Sequence, residues 1–145
     1  MFKLIHSNYI DITALHQYDN HNHLTNRLGN MSNHIHFIGG GNMASAIIGG
    51  LKTNGFDMSN ITVIEPDAEK RTLLSATYGV QNLDTYVENL DSPSRQNIIV
   101  LAVKPQILQE VCQNLAKKIS RQSSPLIISI AAGVQCAAIS RWLGG

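Results

Sequence analysis

Ile35-His36-Phe37-Ile38-Gly39-Gly40-Gly41-Asn42-Met43-Ala44 carries an apolar strand through a glycine turn and directly into a helix. Gly39-x-Gly41-x-x-Ala44 fits the pattern G-x-G-x-x-G/A, in which the first glycine makes the tight turn and the second lets the backbone approach a pyrophosphate. The third position must be small for the helix to pack closely, and Ala44 qualifies. N–H groups left over at the helix start, together with the helix dipole, then attract phosphate charge without a basic side chain. Any strand-turn-helix connection favours glycine, so the motif gains its weight from the rest of the chain.

On both sides of this turn the sequence changes character. Residues 1–33 are rich in Asn and His, with Asn20-His21-Asn22-His23 in their midst and no sustained helical or strand period, which predicts a loosely ordered extension. Met31 stands three residues before the first strand, where many such domains begin, which fits an upstream start for the residues before it. His21 and His23 lack a third or fourth ligand nearby, so no metal site is assigned. From His34 onward, strand-like and helix-like segments alternate, the pattern of parallel β-α units with helices on both faces. The strand segments are 34–38, 61–64, 80–83, 97–103 and 126–131, and they read as continuous apolar runs, as strands buried on both faces should.

Helices are predicted over 42–54, 67–77, 84–90, 105–119 and 135–143. In the first, Met43, Ile47 and Leu51 share a stripe and Gly55 closes the end. Gly49 and Gly50 inside it each cost roughly 0.5–1 kcal/mol relative to Ala, which close contact with the sheet would offset. Asn42 reads as a helix cap that could also donate to phosphate. In the fourth, Ile107, Leu108, Val111, Cys112, Leu115 and Ile119 follow helical spacing, which makes Cys112 a core residue. Pro105 takes that helix's first position, where its missing N–H removes nothing needed.

Composition sets the boundaries. The 145 residues, 43% hydrophobic and 14% charged, suffice for one domain with a proper core. A formal net charge of +1 offers no general attraction to nucleic acid or acidic lipid, so an anion site must be local and built from backbone dipoles. No apolar stretch approaches the ~20 residues of a membrane span. Ser7, Asn8 and Asp11 interrupt what would have to be a signal-peptide core. Cys112 and Cys136 have neither C-x-x-C nor ligand spacing, as in a reducing compartment, and the chain reads as cytoplasmic.

In a doubly wound sheet of order 3-2-1-4-5, the crevice opens between the carboxyl ends of the first and fourth strands. Those ends are Gly39-Gly40-Gly41 and Val103-Lys104-Pro105, and the fifth strand adds Ser129-Ile130-Ala131-Ala132-Gly133, small enough for a flat ring to come close. Glu65 ends the second strand 26 residues after Gly39, near where an acid bonds the adenosine ribose hydroxyls and disfavours a 2′-phosphate. A solvated strand-end carboxylate beside Pro66 is the plainer reading. Lys70 and Arg71 could approach a 2′-phosphate from the side, so NADP and NAD both stay open. Lys104 stands either over a cofactor or in water, whereas its backbone, fixed by Pro105, is the better contact. Ser129 could bond within its own strand and is given no catalytic role. No Ser-His-Asp, Cys-His or paired-carboxylate arrangement is visible, which points to cofactor-borne chemistry.

Taken together, Phe37-Ile38-Gly39-Gly40-Gly41-Asn42-Met43-Ala44, Ala102-Val103-Lys104-Pro105-Gln106 and Ser129-Ile130-Ala131-Ala132-Gly133-Val134 resemble the pyrroline-5-carboxylate reductase family. Trp142-Leu143-Gly144 resembles the end of that family's helix before its sixth strand. The resemblance covers about 31–145 and implies a Rossmann-type doubly wound α/β fold over 34–145. It further implies reduction of 1-pyrroline-5-carboxylate to L-proline by hydride from NADPH or NADH. Carried over by position, Ile38, Gly39, Gly40, Gly41, Asn42, Met43 and Ala44 hold the pyrophosphate, and Glu65 lies at the adenosine ribose. Ala102, Val103, Lys104 and Pro105 border the nicotinamide, with Ala131, Ala132 and Gly133 completing its floor.

The chain also departs from the family. Tyr86 stands near where an Asn is frequent, and His36 replaces what is often a small residue. Members continue into a sixth strand and a helical second domain that forms the homo-oligomer and supplies the substrate pocket, and neither is found here. The 145 residues are therefore expected to bind dinucleotide and to reduce the imine poorly or not at all. Two alternatives stand beside this: a non-catalytic dinucleotide-binding module or truncated gene product, and a related reductase of another small substrate.

Overall fold

The computed structural model describes residues 3–6, 33–86, 97–119 and 125–145. Six parallel strands make one sheet: β1 (Lys3–His6), β2 (His34–Ile38), β3 (Ile61–Ile64), β4 (Gln81–Leu83), β5 (Asn97–Leu101) and β6 (Leu126–Ser129), ordered β1-β6-β5-β2-β3-β4. Helices α1 (Asn42–Thr53), α2 (Ala68–Tyr78), α3 (Pro105–Ala116) and α4 (Cys136–Trp142) cover its two faces. β2 at the centre pairs with β3 on one side and β5 on the other, so the reversal of strand order falls between β2 and β5, where the sequence predicts the crevice.

Strand alternation sorts the core into two layers. Ile35, Phe37, Ile61, Val63, Ile98 and Val100 face α1 and α2, joined by Ala44, Ile47, Ile48 and Leu51 from α1. Ile38, Ile64, Ile99, Leu101 and Ile127 face the other way, against Leu108, Cys112 and Leu115 of α3 and Ile139 of α4. The central strands β2, β3 and β5 are buried on both faces, which is why their sequences are mostly apolar and why the polar residues they do hold, His34, His36, Thr62 and Asn97, are buried too. Burial pushes the Cys112 thiol up to about 11, and it behaves as the core residue its spacing predicts.

Several expectations need correction. Lys3–His6, read as part of a loose extension, pairs with β6 as an edge strand, while 7–32 lie outside the described residues. Met43 and Ile107 are exposed rather than on buried stripes, and α1 instead buries Ala44, Ile47, Ile48 and Leu51. Each lies in the first turn of a helix that starts at the sheet's carboxyl edge, beyond the cover of the described layers. Gly41, not Asn42, is the N-cap of α1. Gly49 lies against the Tyr78 ring of α2, 3.4 Å from where a Cβ would stand, so its contact is helix to helix rather than helix to sheet. The strands over 97–103 and 126–131 end two residues early, at Leu101 and Ser129, and α3 stops at Ala116. Asp84 and Thr85 form a bend, and the rest of the helix predicted over 84–90 falls mostly outside the described residues.

Candidate functional site

The carboxyl ends of the central strands are held level by backbone hydrogen bonds that run one step past the strands themselves. Gly39 N–H donates to Ile64 O at 2.9 Å, Glu65 N–H to Leu83 O at 2.9 Å, Ala102 N–H to Ile38 O at 2.8 Å, and Ile130 N–H to Leu101 O at 3.1 Å. Gly39, Glu65, Ala102 and Ile130 thus form a row along one edge of the sheet. The segments 38–44, 65–67, 102–105 and 130–133 all leave the sheet from this edge, which brings together the sequence-predicted site.

The three glycines of the turn are constrained in three different ways. Gly39 has φ +101, and a Cβ there would stand 2.6 Å from Ala102 O, so the chain crosses the end of β5 only as glycine. A Cβ at Gly40 would come within 2.7 Å of Leu74 Cδ1 and 3.3 Å of Glu65 Oε2. At Gly41 a Cβ would meet nothing within 4 Å among the described residues. Protein fills the space around the first two and leaves it open at the third, the position the pattern assigns to approach by a pyrophosphate. Gly41 supplies no capping side chain and α1 has no acidic residue in its first turn, so neither a cap nor a first-turn carboxylate takes the leading amides of α1, those of Asn42 and Met43 among them. Ala44 is fully buried beneath the turn, which lets α1 start close to the sheet. The residues present fit a bound dinucleotide pyrophosphate.

Glu65 is neither solvated nor pointing free at the crevice. It is buried, with Oε2 accepting from Gly40 N–H at 2.8 Å and Oε1 from Asp67 N–H at 3.0 Å. Its carboxylate thereby ties the glycine turn to the start of α2. Arg71, a candidate for approaching a 2′-phosphate, donates from Nη1 to Glu65 O and Pro66 O, both at 2.7 Å, which anchors the guanidinium beside the same strand end. Lys70 is exposed and lies 4.0 Å from Asp67 Oδ2. Sequence reading passed over Asp67, although an Asp ahead of a helical run is a capping signal; it caps α2 by accepting from Glu69 N–H and Lys70 N–H.

On the other side of the crevice, Lys104 is the exposed N-cap residue of α3 and makes no side-chain cap bond, while Pro105 occupies the first helical turn. Ala131 is buried, whereas Ala132 and Gly133 are exposed, and Gly133 turns the chain with φ +76. The buried Ser129 hydroxyl accepts from Ala131 N–H at 3.3 Å, a local bond that shapes the strand end. Tyr86 leans on the α3–α4 core, and burial raises its phenol to about 12. His36 belongs to the other end of the molecule: its Nε2 lies 3.4 Å from Asn97 Oδ1 and its ring centroid 4.6 Å from that of His34. Among the described residues, no cluster of three or more His, Cys, Asp or Glu could hold a metal ion, and no helix is long and apolar enough to cross a membrane.

Residues 34–133 match the family described as NADP oxidoreductase, coenzyme F420-dependent. The chain belongs to this family. Over 110 residues it is 39% identical to pyrroline-5-carboxylate reductase of Pseudomonas aeruginosa, a match that covers 76% of this chain and 38% of that relative. It is 46% identical over 101 residues to pyrroline-5-carboxylate reductase of Pasteurella multocida, covering 69% and 36%. Among solved structures, a pyrroline-5-carboxylate reductase from Coxiella burnetii superposes with a TM-score of 0.70 at 37% identity, covering 79% of this chain and 41% of that one. The chain thus spans about two fifths of the length of these relatives, and the part it shares is the Rossmann-type oxidoreductase fold that carries the glycine turn.

Proposed function

We propose that this chain is the dinucleotide-holding part of a cytoplasmic pyrroline-5-carboxylate reductase, retaining NADPH or NADH for reduction of the imine 1-pyrroline-5-carboxylate to L-proline. The open space at Gly41, in a turn whose other glycines are hemmed in by protein, carries this reading. The names of the relatives supply the substrate. When bound, a reduced nicotinamide supplies the hydride. The chain's own residues hold and orient: the turn from Ile38 to Ala44 receives the pyrophosphate on the main-chain amides at the start of α1, those of Gly39 and Gly40 being held by Ile64 and Glu65, and the Glu65 strand end borders the adenosine ribose. Ala102 to Pro105 and Ala131 to Gly133 flank the nicotinamide with small or backbone-presenting residues. Fixing the ring in this way removes orientational freedom from the transfer step.

A second reading has an observation of its own. Along 102–105 and 131–133 the single ionisable side chain is Lys104, so this chain presents a cofactor floor with little acid–base equipment. That favours a dinucleotide-binding module whose substrate groups and oligomer contacts come from elsewhere, as the uncovered three fifths of the relatives would allow. Calorimetric titration with NADPH and NADH, with an imine-reduction assay on the same preparation, separates the possibilities. Gly41→Val serves as control: Gly41 has φ −73 and ψ −174, extended backbone that valine adopts, and a Cβ there meets no atom of the described residues within 4 Å. Saturable binding by the unmodified chain, lost in Gly41→Val with the unfolding transition retained, is the expected result, together with slow or absent imine reduction. Equal affinity in the variant would refute the assigned pocket, and ready turnover by the 145 residues would refute the division of labour.

A further inference from the structure

Doubly wound sheets run 3-2-1-4-5-6, counted by the order in which their strands enter the chain. Here β2, β3, β4, β5 and β6 fill seats one to five, and β1 fills seat six. The chain path prepares this seat for a different segment. From β2 through β5 to β6 each strand is laid further toward one edge, and α4 lies on the same face as α3. Parallel crossovers are right-handed almost without exception, so a strand delivered after α4 would be laid beyond β6. Lys3–His6 lies there, paired Lys3 with Leu126, Leu4 with Ile127, Ile5 with Ile128 and His6 with Ser129. It also runs alongside α4.

The edge it covers is a hazard when bare. Ile130 N–H bonds to Leu101 O, so alternation turns the N–H and C=O groups of Ile127 and Ser129 away from β5 and toward β1. Without a neighbour, the apolar run Leu126-Ile127-Ile128-Ser129 would offer a template for any passing strand.

We propose that Lys3–His6 is a surrogate sixth strand, a strap from the start of the chain that occupies the β6 edge slot and excludes other strands from it. One slot then has two classes of claimant, the strap and any strand arriving after α4 or from a second copy. Strap release and edge pairing are coupled by mass action: a strand that wins the slot must displace Lys3–His6. The idea stands apart from nucleotide binding, since it uses only main-chain pairing at the far edge of the sheet.

The test uses the full chain and the double variant Leu4→Pro/Ile5→Pro, which removes the strap's ladder N–H groups whichever of the two positions faces β6. Residue-resolved amide exchange should show Ile127 and Ser129 protected in the unmodified chain and exchanging about tenfold faster or more in the variant. Ile128, bonded toward β5, should keep its protection. Sedimentation should find the variant more associated than the unmodified chain at equal concentration. Exchange at Ile127 and Ser129 that is unchanged by the prolines overturns the strap, and a variant that does not associate further overturns its excluding role. Should the variant fail to fold, cross-strand nuclear Overhauser effects in the unmodified chain decide: contacts between backbone protons of Leu4–Ile5 and Ile127–Ile128 are expected, and their absence overturns the proposal.

Discussion

Removing the Glu65 carboxylate would strand two backbone amides, those of Gly40 and Asp67, at a buried strand end. Hydrogen bonds to a charged acceptor contribute roughly 1.5–3 kcal/mol each, part of which solvent recovers at the more open Asp67. Glu65→Ala is therefore expected to lower the unfolding free energy by about 2 kcal/mol in urea denaturation. It should also loosen the glycine turn enough to weaken dinucleotide affinity. A variant as stable as the parent would mean that the carboxylate is not a brace. The sequence shows an acid at the right distance from Gly39, yet nothing local reveals that both its oxygens are engaged. The partner amide of Gly40 lies 25 positions away and is brought close only by β2–β3 pairing. The tight turn at Gly39 and the open space at Gly41 are legible because the pattern G-x-G-x-x-A encodes backbone geometry directly. The crowding at Gly40 depends on Leu74, a contact between elements that no motif carries.

At the scale of elements, β2 and β3 have the bounds their sequences predict: each is a short run dominated by β-branched and aromatic residues, ended by the Gly39 turn or by Glu65-Pro66, and the polar residues inside them, His34, His36 and Thr62, are buried with the rest. Helix stripes were less exact. Met43 and Ile107 satisfy helical spacing, but each sits in the first turn of a helix that begins at the crevice, above the level that the sheet can cover. β1 was not legible at all: four residues carry too little periodicity, and their pairing is set by β6, more than a hundred positions away. Strand β2 also holds a pair of histidines, and the buried ring of His36 predicts a pH effect. Burial first, then repulsion from His34, lowers its pKa to about 4 from 6.5, against a smaller opposing bond from Asn97. The unfolded chain consequently binds a proton that the folded chain refuses between those values. Stability is full above about 6.5 and falls as pH drops toward 4, by about 3 kcal/mol at most for this group. Urea midpoints measured from pH 7 to pH 4.5 should decline, and His36→Val should flatten that decline; a parallel decline in both proteins would assign the acid sensitivity elsewhere.

For the molecule as a whole, the reversal of strand order between β2 and β5 follows from alternating β-α units and is legible in the sequence, because right-handed crossovers leave few ways to arrange five parallel strands. What fills the sixth seat was not readable, since Lys3–His6 reaches it from more than a hundred positions away and carries no period that marks it as a strand. The match covers about two fifths of the length of the relatives, and the glycine turn, the Glu65 strand end and the segments 102–105 and 130–133 lie within this chain. The account rests on main-chain amides at the start of α1 receiving a pyrophosphate. An amide-resolved NMR titration with NADPH tests this most directly. The largest shifts are predicted at Gly41, Asn42 and Met43, with a second set at Ala131 to Gly133, all saturating together and all absent in Gly41→Val. Saturable binding that leaves those three amides unmoved, or an unmodified chain that shows no saturable shift anywhere, would contradict it.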